Sequence, residues 1–162
     1  MAVKIILAKI ADIDLVTSIL NRVTLDLLEM GIRQWRYPWQ PASVKKEIGL
    51  HNVYLVKVGE EVVGTFFLGT QQQIESLGVT RKALYLSRIA VLPDYQGMSF
   101  GTTILRFCEE AGVIAGLSVY LDCWSGNEKL KTFYQQQNCH YLGDFSEADY
   151  QISGFQLNLK DG

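Results

Sequence analysis

The sequence of 162 residues has no excess of basic charge and no long apolar run. It holds 15 Lys and Arg against 17 Asp and Glu, for a formal net charge of −2. Without a basic block or stripe, a broad nucleic-acid-binding surface is not expected. No apolar segment approaches the roughly 20 residues that span a bilayer, and no signal peptide precedes the first strand. These absences predict a cytoplasmic protein that binds neither nucleic acid nor membrane.

Cysteine and histidine are also scarce, with 3 and 2 residues. Cys108, Cys123 and Cys139 lie in apolar surroundings without the spacing of metal ligands, so we interpret them as buried, reduced thiols and expect no metal site. By contrast, apolar residues make up 48% of the chain. This length and composition predict a single globular domain over residues 1–162.

Hydrophobic periodicity predicts the order β-α-α-β-β-β-α-β-α-β-β and therefore a mixed α/β (α+β) sheet covered by helices. The first half contains these predicted elements: a strand Val3–Ala8, a helix Ile13–Met30 capped by Asp12, a helix from the cap Ser43 to Leu50, and a hairpin of Val53–Val58 with Val62–Thr70. The second half contains these: strands Leu84–Val91 and Ser118–Trp124, helices Phe100–Gly116 and Asn127–Gln137, and extended segments His140–Leu142 and Gly154–Leu159.

The stretch from Leu84 to Gly101 joins an apolar strand to a helix through a loop that contains Pro93 and Gly97. At such a junction the unpaired N–H groups of the helix N-terminus converge, and the helix dipole adds roughly half a positive charge. Anions, and phosphates above all, bind at such termini. The sequence therefore predicts an anion site before a helix that starts near Phe100.

Two segments carry a family resemblance. Gln96-Gly97-Met98-Ser99-Phe100-Gly101 resembles the phosphate-loop pattern of the GNAT superfamily of N-acetyltransferases, with Ser99 in the place of the usual first glycine. The strand and turn before it, and the later Asn127 with Phe133-Tyr134, are also similar to that family. The resemblance covers most of the chain and is densest over residues 84–143.

The resemblance implies the GNAT fold, a central, mostly antiparallel sheet in which one parallel pair of strands splays, and it implies acetyl-CoA as the acyl donor. It places the pantetheine arm against the strand backbone and the pyrophosphate in the loop. The implied cofactor-binding residues are Ile89, Ala90, Val91, Gln96, Gly97, Met98, Ser99, Phe100, Gly101, Thr102 and Asn127. Asn127 also suits the N-cap of its helix, a role compatible with cofactor contact. Members of the family often form homodimers, although no stripe in this sequence specifies an interface.

Tyr134 is the candidate general acid, because a phenol hydroxyl beside a thiolate leaving group can protonate it; a purely core role is the alternative. No general base is assigned. Many GNAT enzymes carry a carboxylate on the strand that here holds Ser87 and Arg88. Asp122 on the facing strand either receives a proton through water or, as we favour, forms an ion pair with Arg88.

The segment between the first two helices is rich in aromatic residues. Trp35 and Tyr37 can wall an acceptor pocket and Arg33 can receive a carboxylate, with Asp122 as a further substrate-binding candidate. Alternatively, the aromatic side chains only pack this segment onto the sheet. Asp26 and Glu29 on the preceding helix would instead attract a cationic amine.

The sequence thus predicts an N-acetyltransferase that moves an acetyl group from acetyl-CoA directly to a primary amine of a small molecule. Two alternatives stay open. One is a GNAT-like module that binds acyl-CoA without efficient transfer, which Ser99 and the missing strand carboxylate would suit. The other is an enzyme that acetylates protein or peptide amines.

Overall fold

The computed structural model describes residues 2–97 and 99–157, and the predicted order of elements is confirmed. The strands are β1 (Val3–Leu7), β2 (Val53–Val58), β3 (Glu61–Gln71), β4 (Ala83–Val91), β5 (Val119–Trp124), β6 (Cys139–Glu147) and β7 (Tyr150–Leu157). The helices are α1 (Ile13–Glu29), α2 (Pro41–Gly49), α3 (Phe100–Ala115) and α4 (Glu128–Gln136). The strands form a seven-stranded sheet in the order β1-β2-β3-β4-β5-β7-β6, with β4 and β5 parallel. The predicted mixed sheet is therefore confirmed.

Two compact units divide the chain: residues 1–68 with 88–101, and residues 69–87 with 102–162. In the first unit, β1, β2 and β3 pair in antiparallel fashion, and β2 turns into β3 at Gly59, whose φ is 59°. Helices α1 and α2 cover this part of the sheet. Their apolar faces bury a cluster with the strands, made of Ala8, Val16, Ile19, Leu20, Val23, Val44, Ile48, Val53, Leu55, Phe67 and Ala90.

In the second unit, the parallel register joins Leu84–Leu86 of β4 to Val119–Leu121 of β5. Strand β5 then pairs along its whole length with β7, and β7 pairs with β6. A short 3-10 turn at Glu75–Leu77 lies between the predicted strands Val62–Thr70 and Leu84–Val91, where the sequence predicted no helix or strand. It contributes to a cluster on one sheet face, made of Ile74, Leu77, Val79, Ala83, Tyr120 and Ile152.

Three sequence predictions need correction. Helix α2 begins at Pro41 with Gln40 as its N-cap, so the cap assigned to Ser43 is wrong. Asp12 stands at the N-cap position of α1, but its carboxylate accepts from the backbone N–H of Lys9 at 2.8 Å instead of capping the helix. The last two strands are longer than predicted and form one antiparallel hairpin. The end of the segment predicted as Gly154–Leu159 lies outside the described residues.

Within residues 2–97 and 99–157, no helix is long and apolar enough to cross a bilayer. The same residues contain no group of three or more His, Cys, Asp or Glu side chains suited to a metal ion.

Candidate active site

The predicted phosphate loop connects β4 to α3 through a 3-10 turn, Pro93–Tyr95. The Gln96 side chain donates from Nε2 to the carbonyl oxygen of Val91 at 2.9 Å and so ties the loop back to the end of the strand. The Phe100 ring is buried and meets the Tyr95 ring edge-on, at 6.3 Å between centroids. These contacts fix where α3 begins, while Gly97 and Ser99 remain exposed at the turn.

Two loop residues have left-handed backbone conformations, Gly97 at φ 81° and Ser99 at φ 67°. An added Cβ on Gly97 would meet no atom within 4 Å, so its positive φ and not crowding calls for glycine there. Ser99 holds the same kind of conformation with a side chain, at a cost of about 1–2 kcal/mol. Left-handed residues in turns are among the conformations that direct nearby backbone N–H groups into anion-binding concavities. Ser99 thus holds a left-handed conformation that glycine adopts without strain, and the phosphate-binding role of the loop stays a prediction.

The first turn of α3 carries no acidic side chain. The positive end of its dipole therefore keeps its attraction for an anion. Gly101 and Thr102 lie in this turn, partly exposed. Met98 lies outside the described residues.

The end of β4 presents backbone polar groups on its two sides in alternation. The Ala90 carbonyl oxygen would lie 2.7 Å from a Cβ on Gly64, and the Leu92 N–H donates to the Val63 carbonyl oxygen at 2.9 Å. Both groups therefore point toward β3. Because polar groups of neighbouring residues in a strand alternate in direction, those of Ile89 and Val91 point away from β3. This is the orientation that backbone pairing with an extended ligand requires.

Arg88, just before these residues, has φ 53° and stacks its guanidinium over two rings. The guanidinium carbon lies 5.6 Å from the Trp39 centroid and 4.8 Å from the Phe67 centroid. Trp39 is itself anchored to α1: its Nε1 donates to Thr24 Oγ1 at 2.9 Å, and its backbone N–H donates to Asn21 Oδ1 at 2.8 Å. Arg88 therefore forms part of the packing that holds the segment between α1 and α2.

In that segment, Trp35 is packed against the core, whereas Tyr37 and Arg33 are exposed. Trp35 packs against the core cluster and meets Trp39 edge-on at 5.7 Å, which agrees with the packing interpretation. Tyr37 is 48% exposed and Arg33 is exposed, so these two side chains remain accessible to an acceptor.

In the second unit, Asn127 and Tyr134 lie on α4 as predicted. Asn127 is buried and its Oδ1 accepts from the Leu130 N–H at 3.1 Å, which confirms the cap. Tyr134 follows two turns later on the same helix face. Its side chain is only 3% exposed and packs edge-on against Phe155 at 5.4 Å.

Burial raises the pKa of Tyr134 well above its ordinary value of 10.0, and the nearby Cys123, Cys139, Asp122 and Tyr85 add to this effect. The Tyr134 hydroxyl is therefore protonated throughout the neutral range, as a proton donor must be.

Tyr85, the partner of Asp122, was not among the residues predicted from the sequence. The Tyr85 hydroxyl donates to Asp122 Oδ2 at 2.6 Å, and the strand register sets Tyr85 opposite Tyr120. Side chains two residues apart on β5 share a face, so Tyr120 and Asp122 both lie on the face of Tyr85. The predicted ion pair of Asp122 with Arg88 stays a prediction.

The three cysteines are all buried and free, as predicted. Burial raises the pKa of Cys123 to about 12 and that of Cys139 to about 12, and it raises the pKa of Cys108 still further. Thiolates are the nucleophilic form of cysteine, so none of these side chains is suited to carry an acyl group.

A model of the acetyltransferase (GNAT) family matches residues 24–141. The chain belongs to the GNAT family. It is an acyltransferase whose acyl donor is acetyl-CoA, which confirms the predicted family, fold, enzyme class and cofactor.

Solved structures of acetyltransferases share the fold at low identity. A GNAT acetyltransferase from Streptococcus agalactiae has a TM-score of 0.81 at 16% identity, covering 99% of this chain and 96% of the other. An acetyltransferase from Salmonella typhimurium, solved with acetyl-CoA, has a TM-score of 0.75 at 15% identity and covers 100% and 96%. A ribosomal L7/L12 α-N-protein acetyltransferase, solved with coenzyme A, reaches 0.73 at 11% identity and covers 96% and 93%. A search of curated protein sequences found no match to this chain.

Proposed function

We propose that this GNAT protein transfers the acetyl group of acetyl-CoA directly to a primary amine of a small molecule. The observation that carries the proposal is the loop from β4 to α3, where Gly97 and Ser99 in left-handed conformations precede a helix start free of acidic side chains. Direct transfer is supported by the three buried, high-pKa cysteines, because the chain then offers no thiolate to hold the acetyl group.

The described residues fit the cofactor in two places. The N–H groups of the loop and of the first turn of α3 suit the pyrophosphate. The Gln96 side chain stabilises this loop through its hydrogen bond to the Val91 carbonyl oxygen. The Ile89 and Val91 backbone groups, which point away from β3, suit the pantetheine amides, with Ala90 as the buried residue between them. Asn127 is assigned to the same cofactor in addition to its cap. Acetyl-CoA supplies an activated acetyl thioester.

Tyr134 is the proposed proton donor, acting from Oη. Its raised pKa keeps the proton on Oη at neutral pH, so the hydroxyl would be able to donate it to the leaving sulfur of coenzyme A. The packing against Phe155 holds the ring in one orientation. Asp122, which accepts from Tyr85, is a carboxylate suited to attract the acceptor as an ammonium ion.

Arg33, Trp35, Tyr37 and Asp122 are proposed as acceptor-binding residues. Tyr37 and Arg33 supply an accessible aromatic side chain and a cation, while Trp35 is anchored by Trp39. A second candidate function is acetylation of a protein N-terminus, the activity named for the ribosomal-protein acetyltransferase that shares the fold. A module that binds acetyl-CoA without efficient transfer is the third.

The test is incubation of the protein with acetyl-CoA and two panels, small primary amines and peptides with free N-termini or lysines, with N-acetyl products identified by mass spectrometry. We expect products in the first panel and little in the second. Products confined to peptides would replace the small-molecule proposal, and coenzyme A binding without any product would favour the binding module.

A further inference from the structure

A pocket of about 430 Å³ lies in the second unit, lined by residues other than those of the candidate active site. This volume is within the usual range of small-molecule sites. Its apolar wall includes Leu77, Leu142 and Phe145. Leu77 and Phe145 come so close to β7 that a Cβ on Gly154 would lie 2.7 Å and 3.1 Å from their side chains. Gly154 therefore lets this wall pack directly on the sheet.

The polar side of the pocket carries one cation. Arg81, Tyr120 and Gln156 all line it. The Arg81 guanidinium donates from Nη2 to the Tyr120 hydroxyl at 3.4 Å, and that contact with Tyr120 raises the pKa of Arg81. Tyr120 is 5% exposed, so a buried phenol hydroxyl holds the Arg81 guanidinium at the pocket.

The pocket and the Tyr85–Asp122 pair lie on the same face of the second unit. Tyr120 stands opposite Gln156 in the register and Asp122 opposite Gly154. Two residues along a strand correspond to roughly 7 Å. A ligand held at Arg81 can therefore extend along β5 and place a positive end at the Asp122 carboxylate.

We propose that this pocket selects acceptors that carry a carboxylate in addition to the amine, a refinement that rests on the proposed function. Arg81, supported by Tyr120, binds the carboxylate in the planar geometry that guanidinium groups prefer. The apolar wall contacts the carbon chain, and Asp122 receives the amine end. A single lining guanidinium balances the single charge of a carboxylate better than the double charge of a phosphate. The fitting class is an ω-amino acid or a dipeptide.

The experiment compares matched amines with acetyl-CoA held at saturation: ε-aminocaproate with pentylamine, and lysine with cadaverine. Within each pair the members differ by the carboxylate. For the wild type we expect a kcat/KM preference of about tenfold or more for the carboxylate member, a size typical of one charged hydrogen-bonded contact. In Arg81→Gln this preference should fall to near one through KM, with kcat and the KM of acetyl-CoA unchanged. Lys82→Gln, the neighbouring exposed cation outside the pocket lining, is the matched control and should keep the preference.

Calorimetric titration of the coenzyme A complex with ε-aminocaproate gives a readout independent of transfer. Transfer to both members of each pair without preference, or a preference that survives Arg81→Gln, would overturn the role of the pocket and leave the proposed function standing. Absence of transfer to any amine would contradict the proposed function, and the titration then tests the pocket by itself. Binding of ε-aminocaproate that is lost in Arg81→Gln would support the role of the pocket, whereas no binding of ε-aminocaproate would refute it.

Discussion

Replacement of Tyr134 by phenylalanine removes one hydroxyl and leaves the ring. The ring is 3% exposed and packs on Phe155 at 5.4 Å, contacts that phenylalanine preserves. The folded state should therefore change in stability by no more than about 1.5 kcal/mol, the usual net value of one hydrogen bond. Loss of a general acid, by contrast, lowers the rate about 10²- to 10⁴-fold, or about 3–5 kcal/mol in barrier height. Activity should thus fall far more than stability.

The assay is steady-state release of the coenzyme A thiol with a saturating amine, together with urea unfolding of the same protein. We expect a lower kcat for Tyr134→Phe and an unchanged KM for acetyl-CoA. Tyr141→Phe is the matched control, because Tyr141 also packs against Phe155, at 5.6 Å, but directs its hydroxyl to Asp144 and is 40% exposed. Its kcat should equal that of the wild type.

Equal turnover by wild type and Tyr134→Phe would refute the acid role and leave Tyr134 as a core residue. The pH profile adds a second criterion. Because burial raises the pKa of Tyr134 well above 10.0, its deprotonation should not reduce kcat at any pH up to that value. A fall in kcat near a pKa of 10.0 or lower that disappears in Tyr134→Phe would contradict the burial argument.

Three further outcomes are expected. Asn127→Ala should lower the free energy of unfolding by about 1 kcal/mol in urea titration, since it removes the cap of α4; no change would show that the cap is dispensable. Ser99→Gly should raise that free energy by about 0.5 kcal/mol, because relief of the left-handed strain exceeds the entropy lost by glycine, whereas Gly97→Ala should lower it. Folding raises the pKa of the Cys139 thiol from 9.0 to about 12, so the unfolded chain releases this proton at a lower pH than the folded chain does. The free energy of unfolding should therefore fall as pH rises above 9.0. Cys139→Ala should weaken this loss of stability at alkaline pH, measured by urea unfolding across that range.

Local signals predicted much of the fold. The β2–β3 turn follows from Gly59 between two β-branched runs, and the N-cap of α4 follows from Asn127 after Gly126. Two residues, Pro41 and Ser43, each indicate a start for α2. The helix begins at Pro41, because the fixed φ of proline already suits the first helical position. Strand β6 was mostly missed, since it contains Gly143 at φ 132° and a register shift that interrupt its alternation.

The candidate site was predictable where one segment forms it and not where distant segments meet. The residues from Gln96 to Thr102 carry a sequence pattern of their own, so a turn between β4 and α3 was predicted from this segment alone, even with Ser99 at the position of the usual glycine. The bond from Tyr85 to Asp122 depends on the parallel register of β4 and β5, which no local pattern specifies. The stacking of Arg88 on Trp39 and Phe67 likewise joins three segments far apart in sequence.

Direct transfer from acetyl-CoA to an amine is the central claim, and the initial-rate pattern tests it most directly. Rates are measured over a grid of acetyl-CoA and amine concentrations and plotted in double-reciprocal form. Three buried cysteines with raised pKa values leave no thiolate to store the acetyl group, so both substrates must be bound together and the lines should intersect. Parallel lines, with acetylated protein detected by mass spectrometry in the absence of amine, would show a covalent acyl-enzyme and contradict the account.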